Sequence, residues 1–359
     1  MELYPASIDI LYDGMKVDYG IYAYHNGKPV LLCKDVVLTS NMIQSLKKAM
    51  TNCQNVYMDQ VHHEQLLKNT PYFKQAQAKL EKDVGYDVMR DNMESAFGSI
   101  IEHGSVYGDS IENLAKDINK KLDDVDGALI MQCINGMRDT DKYLYAHSLN
   151  VGFLNGLIAQ WSGMSSDMVN KAIKAGVLHD IGKTKLPKNI LEKPGKLTAL
   201  EYEIVKSHPE LGYDMLIHSG EKDTDILEAV LHHHERVNGR GYPGKKRGDE
   251  ITDIAKITAV SDVYDAMTSK RPYRDAISPF FVLEELDTDA FSELDMRYIK
   301  LIMENMPNEL LGRSVLLSNG AVAKVEYIDR RHLGYPIVSI DGKIEKTNSE
   351  LCCVRMYAG

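Results

Sequence analysis

From residue 143 to residue 305 the apolar side chains recur at the spacing of amphipathic helices. The periodic stretches are 143–162, 166–181, 199–216, 223–236, 252–270, 278–286 and 294–305, with Gly and Pro in the gaps. Such a pattern closes its core by packing helix on helix, so residues 126–312 are read as one helical domain. Gly182 is expected to stop a helix just after His179-Asp180, and Pro187 and Pro194 mark the loop beyond it. The flanks read differently. In residues 1–60, Val17–Tyr24 and Pro29–Leu32 look like short strands around an Asn26-Gly27 turn, and Thr39 or Ser40 caps a helix through Leu46 to Met50. Within 61–125, apolar positions from Leu80 to Ile118 return to helical spacing, giving one or two amphipathic helices. These are read as packing onto their own domain, with a homodimer through them as the alternative. Residues 313–359 alternate and turn as strands do, which predicts a short C-terminal β-hairpin. The fold class expected is mainly α, with a small N-terminal α/β module and a C-terminal β addition.

Composition narrows the partners. The net charge of −10 leaves no basic excess to track a phosphate backbone, so a nucleic acid polymer is not expected. Cys33, Cys53, Cys133, Cys352 and Cys353 form no CxxC pair and suit a reducing compartment. The start MELYPASIDI lacks the pattern of a signal peptide, and no stretch approaches the roughly 18 apolar residues of a membrane span. These features predict a cytoplasmic location without membrane attachment.

His147, His179, His208, His233 and His234 all fall in the helical domain, joined by Asp180 and Asp262. Imidazole nitrogens and carboxylate oxygens without thiolates suit divalent Fe, Mn, Zn or Ni. Asp180 has two oxygens and can bridge two ions about 3.5–4 Å apart. Each residue alone also has a plain reading, since most helical histidines lie on a surface or are satisfied in a core. His232, His233 and His234 span about 200° of a helix, so all three cannot face one cluster. His62-His63-Glu64 lies outside the helical domain and is read as a solvated face.

Joint order and spacing carry more. YAHSLNV around His147, LHDIGKTKLP around His179 and Asp180, KSHPELGYDML around His208, HHHERVNGRGYPG around His233 and His234, and AVSDVYDAMTSKRPYR around Asp262 follow one another in the chain. Together they resemble the HD-GYP phosphodiesterases, a bacterial branch of the HD metal-dependent phosphohydrolases. The resemblance covers about a third of the chain; the flanks match loosely or not at all. It implies hydrolysis of cyclic di-GMP to pGpG or onward to GMP, or action on a related cyclic dinucleotide such as cyclic GMP-AMP.

Carried over by residue, the resemblance implies that His147, His179 and Asp262 hold one ion. His208, His233 and His234 hold the other, with Asp180 bridging and Fe or Mn favoured over Zn or Ni. A hydroxide between the metals would attack phosphorus. Lys183 takes the HDxxK position, where its ammonium can offset phosphate charge; a solvated cation at a helix end is the plain alternative. Tyr242 of the Gly241-Tyr242-Pro243 loop is placed to meet a guanine. Arg271 and Arg274 offer planar forks for phosphate or a guanine edge, where otherwise they would be surface cations. Asp265, one turn after Asp262, is expected to orient a metal ligand, with a salt-bridge role as its alternative. Two departures stand out: Asn238 replaces a common Asp, and Tyr143 stands where three-metal relatives place a Glu. The rival functions are a non-catalytic receptor for the nucleotide and an HD-type hydrolase acting on another nucleotide.

Overall fold

The computed structural model describes residues 3–25, 28–50, 55–59, 62, 82, 85–103, 108–124, 131, 134, 143–191, 193, 195–269, 277–286, 288 and 292–357. The helices among them are α1 (Ser40–Ala49), α2 (Tyr86–His103), α3 (Gly108–Asp124), α4 (Tyr143–Trp161), α5 (Ser166–Leu178) and α6 (Lys188–Leu191). They continue as α7 (Ala199–Val205), α8 (His208–His218), α9 (Thr224–His232), α10 (Asp253–Thr268), α11 (Pro279–Leu286) and α12 (Met296–Leu310). No described helix is long and apolar enough to cross a membrane. The fold is mostly helical, with small sheets from the two ends of the chain.

Two compact units divide the chain. The first joins residues 1–80, 278–281 and 310–359; the second joins 81–277 and 282–309. Thus the N- and C-terminal segments, expected from the sequence as separate appendages, form one unit. Strands β1 (Tyr4–Ser7), β2 (Lys16–Val17), β3 (Ile21–His25), β4 (Lys28–Cys33), β5 (Val36–Val37) and β6 (Asn55–Met58) come from its N-terminal part. They give an antiparallel sheet in the order β1-β6-β3-β4 and a separate β2-β5 pair. His25 pairs with Lys28, so β3 and β4 flank the expected Asn26-Gly27 turn, a dipeptide outside the described residues. The Thr39 hydroxyl caps α1 by accepting from Met42 N–H.

The C-terminal segment is more than a hairpin. Strands β7 (Ser314–Leu317), β8 (Val322–Tyr327), β9 (Ile337–Ile340), β10 (Lys343–Lys346) and β11 (Cys353–Met356) form one five-stranded sheet in the order β10-β9-β8-β7-β11. Buried Asn55 ties it to the N-terminal sheet: its side chain accepts from Val322 N–H at 2.7 Å and donates to Val322 C=O at 2.8 Å. A buried amide without such partners would carry a desolvation cost of about 1–3 kcal/mol.

In the second unit, α4 and α10 are the central helices. Buried positions continue around α4 from His147 to Ala159 and around most of α10, as expected of helices enclosed by others. Asn155 on α4 donates to Ala172 C=O on α5 at 2.8 Å and to Thr258 Oγ1 on α10 at 2.9 Å, tying the three together. Ser165, Thr198, Asp223 and Thr252 cap the N-termini of α5, α7, α9 and α10. The amphipathic helices expected within 61–125 appear as α2 and α3, and both cluster with this unit. One helix expected over 199–216 is two, α7 and α8, because the chain turns at Lys206-Ser207 before His208.

Candidate metal centre

Five helix segments deliver the site, and most ligand candidates sit at helix ends, where the backbone can redirect a side chain. His147 lies in the first turns of α4. His179 caps the C-terminus of α5, and Asp180 begins the 3-10 turn 181–185 that carries Lys183. His208 opens α8, His233 caps the C-terminus of α9, and Asp262 sits within α10. Contrary to the sequence expectation, Gly182 does not stop a helix, because α5 has already ended at Leu178. Its role is close approach. A Cβ there would lie 2.0 Å from the His208 carbonyl oxygen and 2.5 Å from Gly212 N.

Among the described residues, three groups of donor atoms converge: His208/His233/His234, His147/His179/Asp262 and His179/Asp180/His233, each with its ligand atoms within 4.8 Å of one another. Asp180 faces both halves. Its Oδ2 lies 3.5 Å from His147 Nε2 and 3.4 Å from His179 Nε2, while Oδ1 lies 3.2 Å from His208 Nε2 and 4.0 Å from His233 Nε2. Asp262 Oδ1 is 3.1 Å from His147 Nε2, and Oδ2 is 4.0 Å from His234 Nδ1.

The far side of each ring fixes which nitrogen carries the proton. Nδ1 of His179, His208 and His233 lies 2.7, 2.7 and 2.8 Å from the backbone carbonyls of Gly176, Val205 and Val230. A carbonyl only accepts, so each Nδ1 donates and each Nε2 presents a lone pair when the ring is neutral. His208 Nε2 and His233 Nε2 then face each other at 3.2 Å, both as acceptors. Two lone pairs beside the Asp180 carboxylate repel unless a cation lies among them. The donor set therefore fits divalent metal ions, with nitrogen and oxygen ligands alone.

Burial and neighbouring charges shift several of these groups. Burial holds the His233 and His234 imidazoles well below their ordinary pKa, and neighbouring imidazoles push the same way. Burial would raise the Asp180 carboxyl, but His179 and Lys183 hold it well below the usual carboxylate range. Burial acts likewise on Asp262, and the His147 imidazole outweighs it. For His147 burial opposes the charged form, yet Asp262 and Asp265 push its pKa up to about 9. Asp265 is buried and its Oδ2 accepts from His147 Nδ1 at 2.7 Å, so it orients that ring.

Lys183 ion-pairs with Asp180 Oδ2. The Tyr242 ring stacks on His234 with centroids 4.7 Å apart and planes at 24°, and burial raises its phenol pKa. The Tyr242-Pro243 peptide is cis. Arg271 and Arg274 lie outside the described residues, as do Asp139 and Asp141. His232 turns to Glu228 and Glu235, at 3.4 and 3.7 Å, as the angular spread of the triplet requires. Asn238 Oδ1 accepts from Arg240 N–H at 2.9 Å, a bond an aspartate would also accept. His62 pairs with Asp59 and stacks on Tyr19 in the other unit.

Sequence reading missed two neighbours. Glu235 is buried and accepts from Gly244 N–H at 2.6 Å, fastening the Gly241–Pro243 loop to the end of α9. Gly241 passes so close that a Cβ would meet Glu235 Cα at 2.4 Å. Lys206 places Nζ 5.3 Å from the Tyr242 ring and 5.6 Å from the Tyr202 ring. The available signal was their place in the chain, Glu235 directly after His234 and Lys206 two residues before His208.

Residues 133–297 match the family model described as HD domain. The chain is 42% identical over 138 residues to a cyclic di-GMP phosphodiesterase of Pseudomonas aeruginosa, covering 38% of this chain and 33% of that protein. It is 41% identical over 146 residues to a cyclic di-GMP phosphodiesterase of Thermotoga maritima, covering 40% and 39%. It is 30% identical over 203 residues to a 3'3'-cGAMP-specific phosphodiesterase of Vibrio cholerae, covering 56% and 39%. These matches span between a third and two fifths of those relatives' length. Among solved structures, Bd1817, an HDG"Y"P protein from Bdellovibrio bacteriovorus, aligns over 85% of this chain and 99% of its own with a TM-score of 0.52. At 18% identity that likeness concerns the fold alone.

Proposed function

Because residues 133–297 match the HD domain family model, we propose that this chain is a metal-dependent phosphodiesterase that hydrolyses cyclic di-GMP to pGpG or GMP. The observation that carries the reading is the two-sided carboxylate of Asp180 among imidazoles whose outer nitrogens are committed elsewhere. In this reading His147, His179 and Asp262 hold one ion, His208, His233 and His234 hold a second, and Asp180 bridges. The His and carboxylate donors suit divalent Fe, Mn, Zn or Ni, and the HD-GYP resemblance favours Fe or Mn. Bound divalent cations supply Lewis acidity toward the phosphoryl oxygens and lower the pKa of water to near neutrality.

The chain's own residues then act on the nucleotide. Lys183, tethered to Asp180, places an ammonium where charge builds on the phosphate. Tyr242 offers an aromatic face beside His234, suited to a guanine. Arg271 and Arg274, nine and twelve residues beyond Asp262, supply forked donors to phosphate or guanine. A cytoplasmic site of action goes with this substrate. A specific observation supports a second substrate: one of the similar proteins is named for 3'3'-cGAMP, so cyclic GMP-AMP belongs in the same assay. Purified protein, loaded with Fe(II) or Mn(II), is incubated with each cyclic dinucleotide and the products are separated by chromatography. Linear products confirm hydrolysis and rank the substrates. Unchanged nucleotide that nonetheless binds the protein replaces the enzyme by a receptor.

A further inference from the structure

Tyr86, the first residue of α2, is buried at 1% exposure, and its hydroxyl donates to Asn150 Oδ1 on α4 at 2.6 Å. Asn150 Nδ2 donates in turn to Asp265 Oδ1 on α10. The other oxygen of Asp265 accepts from His147 Nδ1 at 2.7 Å and from Ser269 Oγ at 3.2 Å. The polarity of this run is set at every link. A carboxylate only accepts, so the Asn150 amide must present Nδ2 to Asp265 and Oδ1 to Tyr86. The second acceptor near the hydroxyl, the Ala146 carbonyl, is farther away at 3.2 Å. Tyr86 lies outside residues 133–297, which match the HD-domain model.

We propose that Tyr86 is a positioning residue for His147, so that α2, upstream of the HD domain, helps set the geometry of the metal centre. Without the hydroxyl, Asn150 Oδ1 is left buried beside no tyrosine donor, and the amide gains by turning. Turning brings Oδ1 toward Asp265 Oδ1, oxygen against oxygen, and removes a donor from the carboxylate. Asp265 is then less firmly held, and so is the His147 ring whose Nε2 faces Asp180 and Asp262. Partners behind a metal-ligating histidine are typically worth about 10–100-fold in metal affinity. Tyr86 stands two links farther back than Asp265, so the lower end is expected.

The inference rests on His147 being a metal ligand, and its test needs no substrate. Tyr86→Phe deletes the oxygen and keeps the ring, which lies parallel to Phe153 at 6.3 Å. The full chain is stripped with chelator and titrated with Zn(II), and histidine ring nitrogens are followed by NMR in the metal-free protein. Tyr298→Phe is the control, another buried phenol of this unit whose hydroxyl bonds Asp253, away from the site. Y86F should weaken one of two binding events about tenfold and shift the His147 Nδ1 resonance, with Y298F changing neither. Asn150→Ala should weaken the same event, and the double variant should lose no more than N150A alone. Unchanged affinity and an unchanged His147 resonance in Y86F overturn the proposal. Equal loss of both ions in Y86F and Y298F also overturns it, by reducing the effect to general destabilisation. A wild-type chain that takes up no metal sinks the phosphodiesterase reading together with this one.

Discussion

The ring of Tyr242 lies nearly parallel on the imidazole of His234, with centroids 4.7 Å apart. The loop that carries the tyrosine is fixed by the Gly244 N–H bond to Glu235 and by Tyr242 N–H donating to the His234 carbonyl at 3.3 Å. One face of the phenol is therefore used to hold a ligand candidate in place, which the sequence reading of Tyr242 as a substrate contact did not foresee.

Tyr242→Ala should consequently affect both metal retention and substrate use, whereas Tyr242→Phe should affect neither strongly. An aromatic pair is worth about 0.5–1.5 kcal/mol beyond its area, so roughly a two- to tenfold weakening is expected in the alanine variant. Metal titration and kcat/KM measured on the two variants separate the ring from the hydroxyl. A phenylalanine variant as impaired as the alanine one would mean the hydroxyl is the working group.

Asp180→Ala should abolish hydrolysis and empty at least one metal position. Its two oxygens face different groups of imidazoles, Oδ2 toward His147 and His179 and Oδ1 toward His208 and His233. Its loss removes a ligand from both ions and leaves two close cations short of negative charge. Elemental analysis beside a product assay reads this directly; full metal content with near-normal turnover would exclude a bridging role.

The cluster of candidate ligands was legible because each member stands in a short motif whose order along the chain is informative. His179 and Asp180, for example, are adjacent in sequence and adjacent in space. The residues that hold the candidate ligands were not legible in the same way. Asn150 sits three residues after His147 in an ordinary helical stretch, and Tyr86 lies far upstream; only three-dimensional packing brings them to Asp265. The same limit applied to the ends of the chain. Asn55 and Val322 are 267 residues apart, and strand periodicity alone does not say which distant backbone will satisfy a buried amide. Arg271 and Arg274 rest on the motif alone.

Gly182→Ala gives a test of how the metal loop is held. The added methyl would meet the backbone of His208 and Gly212, at 2.0 and 2.5 Å, and neither can swing aside as a side chain could. Forced overpacking of this kind costs about 1–3 kcal/mol and displaces the segment that carries it. A lower Tm is expected together with weaker metal binding, because Asp180 and His208 flank the contact. A variant with unchanged Tm and unchanged metal affinity would show that the turn has room the geometry does not reveal.

The folded protein should bind two metal ions per chain. Each half of the site already has three donor residues, and Asp180 serves both. A third ion beside His147 needs an anionic oxygen about one helical turn earlier, and that place is held by Tyr143, the first residue of α4. Deprotonating a tyrosine at neutral pH costs about 4 kcal/mol from its reference pKa near 10. A bound cation would have to repay that cost before gaining anything from the phenolate. Asp141 and Asp139 stand six and eight residues before His147, farther along the chain than the single turn a third ligand needs. Elemental analysis on protein purified without chelators, with anomalous scattering from a crystal, decides the count. Replacing Tyr143 with Glu supplies the missing carboxylate and should raise the count from two to three. Three occupied positions in the wild-type chain would mean that Tyr143 or one of the aspartates is a ligand after all.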